Sequence, residues 1–193
     1  MRAHDVEAVT SEMISALGGR ADLPWDGPAG PLEWSCRDTA LHVADDLFTY
    51  ASQLATETAY DHVPYEISVA PDTGPNDVLR VVETGSALLA SVLRTAHPGA
   101  RGWHPNGVSD PGGFAAMGVL EIVVHTHDIA TGLGLAWTPP EDTCRAVLER
   151  LFPEAPADAS DPMAALLWAT GRGELPGMST RDASWRWDSS VRS

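Results

Sequence analysis

Phe114-Ala115-Ala116-Met117-Gly118-Val119-Leu120-Glu121-Ile122-Val123-Val124-His125-Thr126-His127-Asp128 is the stretch on which the fold turns. Its apolar side chains occupy nearly every face of a helix, which means burial on several sides. Such a helix belongs at the centre of a bundle. The stretch also sets Glu121 and His125 four residues apart, so both side chains emerge from one face, a turn apart. An ionised glutamate among Val119, Leu120, Ile122, Val123 and Val124 is costly unless it is paired or bound to a cation. Two arrangements meet that demand: a hydrogen-bonded Glu–His pair in the core, or a metal site. Without a cation the carboxyl is expected to be protonated.

Working outward from this helix, periodicity predicts helices almost everywhere. Val6, Val9, Met13 and Leu17 form one stripe, stopped by Gly18 and Gly19. Ser35 followed by Asp38 reads as a capping box for a second helix with Leu41, Ala44, Phe48 and Ala51 facing inward. The proline-punctuated stretch 61–75 is a connector. A third helix carries Val78, Val81, Val82, Leu88, Leu89 and Val92 and ends near His97-Pro98. A Gly/Pro loop, 99–113, leads into the central helix, expected from Phe114 to about Leu133. Thr138-Pro139-Pro140-Glu141 reads as another capping box, opening a short helix to about Phe152. Asp161-Pro162 starts a last helix, closed by Gly171, and the tail with Trp185 and Trp187 reads as a short extended flap. Strand signals are weak throughout. The expected fold class is all-α: a four-helix bundle over residues 1–135 and a short helical C-terminal extension and tail over 136–193.

The chain has 193 residues, a length that suits one domain with its own core. Twelve cations against 27 acids give a net charge of −15, a field that repels phosphate backbones and acidic membrane surfaces. Nucleic acid and membrane are therefore not expected partners. All twelve cations are arginine, which removes Schiff-base lysine and P-loop lysine chemistry. Two cysteines make neither a disulfide framework nor a Cys-rich zinc site, and a reducing, cytoplasmic setting is expected. No signal peptide is read at the N-terminus, and no apolar stretch is long enough to span a bilayer.

His42 adds a third group to Glu121 and His125. It sits beside an apolar stripe on the second helix, and Asp45 and Asp46 follow one turn later, as acids that orient a metal-bound imidazole do. Taken alone, a half-buried histidine at a helix seam accounts for it equally well. Two imidazoles and a carboxylate from two facing helices leave an open coordination position, the arrangement of a catalytic zinc site. Asp128, on the face of His125, is a candidate to bond that set. His104, in Trp103-His104-Pro105, is a candidate for handling substrate or a proton. Arg172 is a candidate to grip a carboxylate, because a guanidinium suits that geometry. These three are the catalytic candidates, although packing and surface roles are open to each. Cys36, in the first turn of the second helix, is expected to have its thiol pKa lowered by the helix dipole. Cys144 lies mid-helix, His127 points to the surface, and His4, His62 and His97 read as solvated.

Trp34-Ser35-Cys36-Arg37-Asp38-Thr39-Ala40-Leu41-His42-Val43 resembles the G-W-[ST]-x-x-D-x-x-x-H segment that opens the second helix of the DinB-like superfamily. More closely, it resembles the metal-binding domain of mycothiol-dependent maleylpyruvate isomerase. Glu121 to Asp128 is similar to that family's E-x-x-x-H-x-x-D helix, and Leu166 to Arg172, with Leu175-Pro176-Gly177, to tails of actinobacterial members. Glu33 stands where the pattern has glycine. The resemblance implies a DinB-like bundle in which His42, Glu121 and His125 hold a divalent metal, zinc first among the candidates. It also implies mycothiol as thiol co-substrate.

The expected function is a metal-dependent thiol S-transferase or thiol-dependent isomerase acting on a small electrophile. About 60 residues follow the fourth helix, too few for the isomerase's second domain, so a substrate other than maleylpyruvate is expected. The alternatives are a small metallohydrolase using water, and a non-catalytic bundle that binds a small molecule or forms a homodimer.

Overall fold

The computed structural model describes residues 1–58, 60–156, 159–181 and 184–191. Its regular elements are six helices; the bridges from Pro28 to Ser35 and from Gly102 to Ser109 are isolated loop contacts. The fold is all-α, a DinB-like four-helix bundle followed by two shorter helices. The bundle comprises α1 (Ala3–Leu17), α2 (Cys36–Thr56), α3 (Pro75–Thr95) and α4 (Pro111–Gly132). Both α1 and α2 pack against α3 and α4. No described helix is long and apolar enough to cross a membrane.

The N-cap of α2 is Ser35, whose Oγ accepts the backbone N–H of Asp38 at 3.0 Å. Its buried stripe runs through Val43, Ala44, Leu47, Ala51 and Leu54, while Leu41 and Phe48, expected inward, are half-buried. The stripe is rotated because Leu47 has to reach two neighbours. It lies against Gly85 of α3 and Gly118 of α4, where any Cβ would sit within 3.3 Å of it. On α3, Leu89 is buried and its neighbour Leu88 is exposed.

The central helix α4 is buried from Gly113 to Ala130 except at His127, as its all-round apolar character requires. It begins three residues earlier than expected. Asp110 caps it, with Oδ1 accepting the Gly113 N–H at 2.7 Å, and Pro111 takes the first helical position. Gly112 and Gly113 mimic a loop, yet Gly113 is glycine for packing: a Cβ there would collide with Ser109 Oγ and the Arg150 guanidinium.

Beyond the bundle, α5 (Glu141–Leu151) packs on α4 and on α6 (Pro162–Ala169). The capping box expected at Thr138 does not form. Pro140 is the N-cap residue, without a side-chain bond, and its carbonyl accepts from Thr143 and Cys144. Asp161 does cap α6, through Ala164 N–H at 2.9 Å. The described residues of the tail join no ladder but are strapped down. Asp188 N–H donates to Leu151 O at 2.8 Å, Ser109 Oγ to Ser189 O at 2.6 Å, and Ser189 Oγ to Gly107 O at 2.7 Å.

Gly113 sets two effects against each other. Alanine is favoured over glycine in a helix by about 1 kcal/mol, whereas overpacking a tight site costs about 1–3 kcal/mol. We expect Gly113→Ala to lower unfolding free energy in a urea titration. A neutral or stabilising result would show that the Ser109–Arg150 contact yields freely.

Candidate metal centre

Two helices deliver the three groups. The Ser35 cap sets the register of α2, so His42 emerges two turns in; on α4, Glu121 and His125 share one face. One carboxylate oxygen is the meeting point. Glu121 Oε2 lies 3.2 Å from His125 Nε2 and 3.7 Å from His42 Nε2. Ligand atoms of all three residues lie within 4.8 Å of one another. Trp34 stacks edge-on against His42 at 4.9 Å, and the two imidazoles meet edge-on at 5.1 Å.

Partners on the far side orient the set. His125 Nδ1 bonds Asp128 Oδ2 at 3.0 Å, which turns Nε2 towards Glu121. Arg172, just past α6, closes on the same carboxylate: Nε reaches both oxygens at 3.0 Å and Nη2 reaches Oδ2 at 2.9 Å. Its Nη1 bonds Thr170 O at 3.1 Å. Asp46 behaves differently from the sequence expectation. It contacts His42 at Nε2, 3.2 Å away, the nitrogen that faces Glu121, rather than the free one.

The electrostatics follow from these contacts. Burial opposes ionisation of Glu121, but hydrogen bonds and charge from His125 and His42 outweigh it and hold the carboxyl below its usual range. The protonated glutamate expected from sequence is therefore corrected: Glu121 favours the carboxylate, and its charge favours the protonated form of the two imidazoles. Burial works to lower both histidines, yet Glu121 and Asp46 raise His42, and Asp128 and Glu121 raise His125. Burial also works to raise Asp128, but His125 and Arg172 hold it down. Asp46 is pushed well above the carboxylate range, by burial first and the Glu121 charge second.

This donor set fits a divalent ion. With Nδ1 of His125 committed to Asp128, the two Nε2 atoms and Glu121 Oε2 face one another, an arrangement that protons or a cation must bridge. The cluster opens into a cavity of about 670 Å³, walled on its other sides by Tyr50, His104, Arg172, Arg181, Trp185 and Trp187. The structure thus brings His104 and Arg172 to the cavity with the cluster, and sets Asp128 behind it. His127 is half-buried on another face of α4. His4, His62 and His97 are exposed.

The thiols stand apart. Cys36 is fully buried, its Sγ 3.8 Å from the carbonyls of Pro28 and Ile129. Burial pushes its pKa up, against the lowering expected from the helix dipole. Burial first, and the charge of Asp161 second, push Cys144 up to about 12. Sequence reasoning missed Tyr50, Arg181 and the tail tryptophans as walls. His42, Asp46 and Tyr50 recur every four residues, a signal that was available; no local pattern marks the others.

An all-helical bundle with an imidazole–carboxylate–imidazole cluster at the floor of a cavity is the class that fold and site define. Residues 6–130 match the family Mycothiol maleylpyruvate isomerase N-terminal domain, and the chain belongs to that family. Comparison with curated proteins and with solved structures finds no match.

The raised imidazoles set a pH dependence. A group whose pKa is raised on folding contributes stability below its unfolded value, here 6.5, and loses it as pH climbs through the folded value. The chelator-treated protein should therefore lose Tm as pH rises above about 6.5. Zinc competes with those protons, so its stabilising increment should grow over the same range. Thermal melts with zinc or with chelator test both. An increment independent of pH would mean that zinc binds away from the two imidazoles.

Proposed function

We propose that the chain is a cation-dependent thiol S-transferase or thiol-dependent isomerase for a small electrophile, with mycothiol as the thiol. The observation that carries this reading is Glu121 Oε2 held between two imidazole Nε2 atoms at the floor of a cavity. Membership of a mycothiol isomerase family supports the choice of thiol. His42, Glu121 and His125 hold the cation. When bound, a divalent ion, zinc foremost for two nitrogens and a carboxylate, supplies the Lewis acidity that keeps a thiol ionised at neutral pH.

The remaining work falls to the chain's own residues. Asp128 fixes the tautomer and direction of His125, and Arg172 locks Asp128, so Arg172 is a positioning residue. Asp46, at the cavity side of His42, is the carboxyl placed to take or return a proton at Oδ2. Segment 136–193 acts as the extension that closes the cavity, since Arg172, Arg181, Trp185 and Trp187 all come from it. Its aromatic rings keep water from the reacting carbon and offer flat surfaces to a small unsaturated substrate. Neither cysteine takes part, because both are buried with raised pKa values.

A Cys36→Ala, Cys144→Ala double variant should keep thiol-dependent turnover of an electrophile panel, while Glu121→Ala should lose it along with bound zinc. Asp128→Asn should weaken zinc binding by about 10–100-fold with helix content unchanged. Adding thiol to the cobalt-loaded protein should produce new sulfur-to-metal charge-transfer absorption. A cobalt spectrum indifferent to thiol, with turnover that needs only water, would overturn the transferase reading in favour of a hydrolase. Full zinc occupancy in Glu121→Ala would overturn the site.

A further inference from the structure

The loop between α3 and α4 holds a histidine that the cation cluster does not use. His104 is nine-tenths buried, yet it lines the same cavity as Glu121 and His125. Its backbone is pinned by a tight turn: Gly107 N–H donates to His104 O at 2.9 Å, and Gly107 takes φ +122°, a conformation open to glycine. The Gly102–Ser109 bridge closes the loop from behind, and Gln53 Nε2 donates to Trp103 O at 3.0 Å. Tyr50 and Trp187 flank the imidazole, with centroids at 5.9 and 5.3 Å. The ring cannot swing.

Its tautomer is fixed as well. The backbone N–H of Asn106 donates to His104 Nδ1 at 3.1 Å. A backbone amide can only donate, so Nδ1 is the acceptor and the proton of the neutral ring is on Nε2. That N–H has no hydrogen-bond acceptor among the described residues. Trp187, whose ring packs on His104, carries a buried Nε1 donor without an acceptor among the described residues, which is unusual in a folded protein. His104 Nε2 is the donor of a cavity-lining residue.

We propose that His104 is a catalytic residue: its Nε2–H donates to the substrate oxygen that gains negative charge as the thiol adds. This rests on the thiol-transfer reading. As the carbon–sulfur bond forms, the π pair of the electrophile moves onto that oxygen; reversal of the step restores the π bond and expels the thiolate. His104 keeps its proton throughout. It acts as a fixed dipole, set before the reaction and therefore needing no reorganisation during it. A base role is closed, because Nδ1 is committed to Asn106 and Nε2 already carries hydrogen. Burial brings the ring down to a pKa of about 4, so it is neutral, and its donor geometry constant, across the physiological range.

The test separates this role from the thiol chemistry by using the full-length, zinc-free protein. Imidazole nitrogen NMR should show His104 as the neutral Nε2–H tautomer from about pH 6 to about pH 8. The probe for this donor is p-nitrophenolate, a flat molecule with charge on one oxygen. Its binding, followed by absorbance, should weaken about tenfold or more in His104→Phe and recover to within about threefold of wild type in His104→Gln, whose amide restores a donor. An Nδ1–H or doubly protonated ring at neutral pH would overturn the proposal. So would a wild type that binds no phenolate, or a His104→Phe variant that binds it unchanged. Failure of the transferase reading shows elsewhere, as wild-type turnover indifferent to thiol, and leaves these two readouts where they are.

Discussion

Glu121 is a carboxylate in the middle of a helix buried on nearly every face, and its charge has to be met inside the protein. An unpaired charge there would cost more than a single domain can spare. The answer is a run of alternating signs: His42, Glu121, His125, Asp128 and Arg172, each within 3.7 Å of the next. Much of the architecture follows from that alternation. It demands that α2 and α4 be neighbours in the register that sets His42 against Glu121. It also brings the chain beyond α6 back onto α4, because Asp128 is fully buried and its charge would be unmet without Arg172. The C-terminal segment is thus tied to the bundle through the same network that shapes the cluster.

The same constraint explains why the apolar parts are packed so closely around it. Gly85 and Gly118 let Leu47 fill the space between three helices, and Gly113 lets α4 start against Ser109 and Arg150. With α4 gripped along its length, neither Glu121 nor His125 can move to solvent. The charges keep their partners because the backbone gives them no alternative.

Features carried inside one helix were legible in the sequence. The centre of α4 was readable from its all-round apolar character, and the cluster from two motifs that each lie within a single helix. Where reading failed, a long-range contact had overruled a local signal. Asp161-Pro162 and Asp110-Pro111 are the same start signal, but Gly112-Gly113 concealed the second, and Gly113 answers to packing against Ser109 and Arg150 of α5. The helix dipole argued for a reactive Cys36; burial against Pro28 and Ile129, invisible along the chain, reversed the sign. Asp46 and Tyr50 shared the spacing of His42 without marking which way they face. Trp185 and Trp187 showed an alternation but no address, since their place depends on Ser109 and Leu151, residues far away along the chain.

The cavity therefore has two walls of different physical character. The α2 and α4 wall is charged, deeply packed and held by helix backbone over many turns. The opposite wall joins the tail tryptophans to Arg172 and Arg181, and its tail part is held by hydrogen bonds at Asp188 and Ser189. Local opening takes place where buried apolar contact is thin and a handful of bonds holds a segment, so the tail is the wall that yields first. Entry by that route leaves the cluster intact, with its carboxylate and imidazoles still paired. The shape of the cavity and the charge at its floor are then lodged in different parts of the chain. The tail can change its rings without disturbing the charge network, whereas no residue of that network can change without leaving a buried charge exposed to an apolar core.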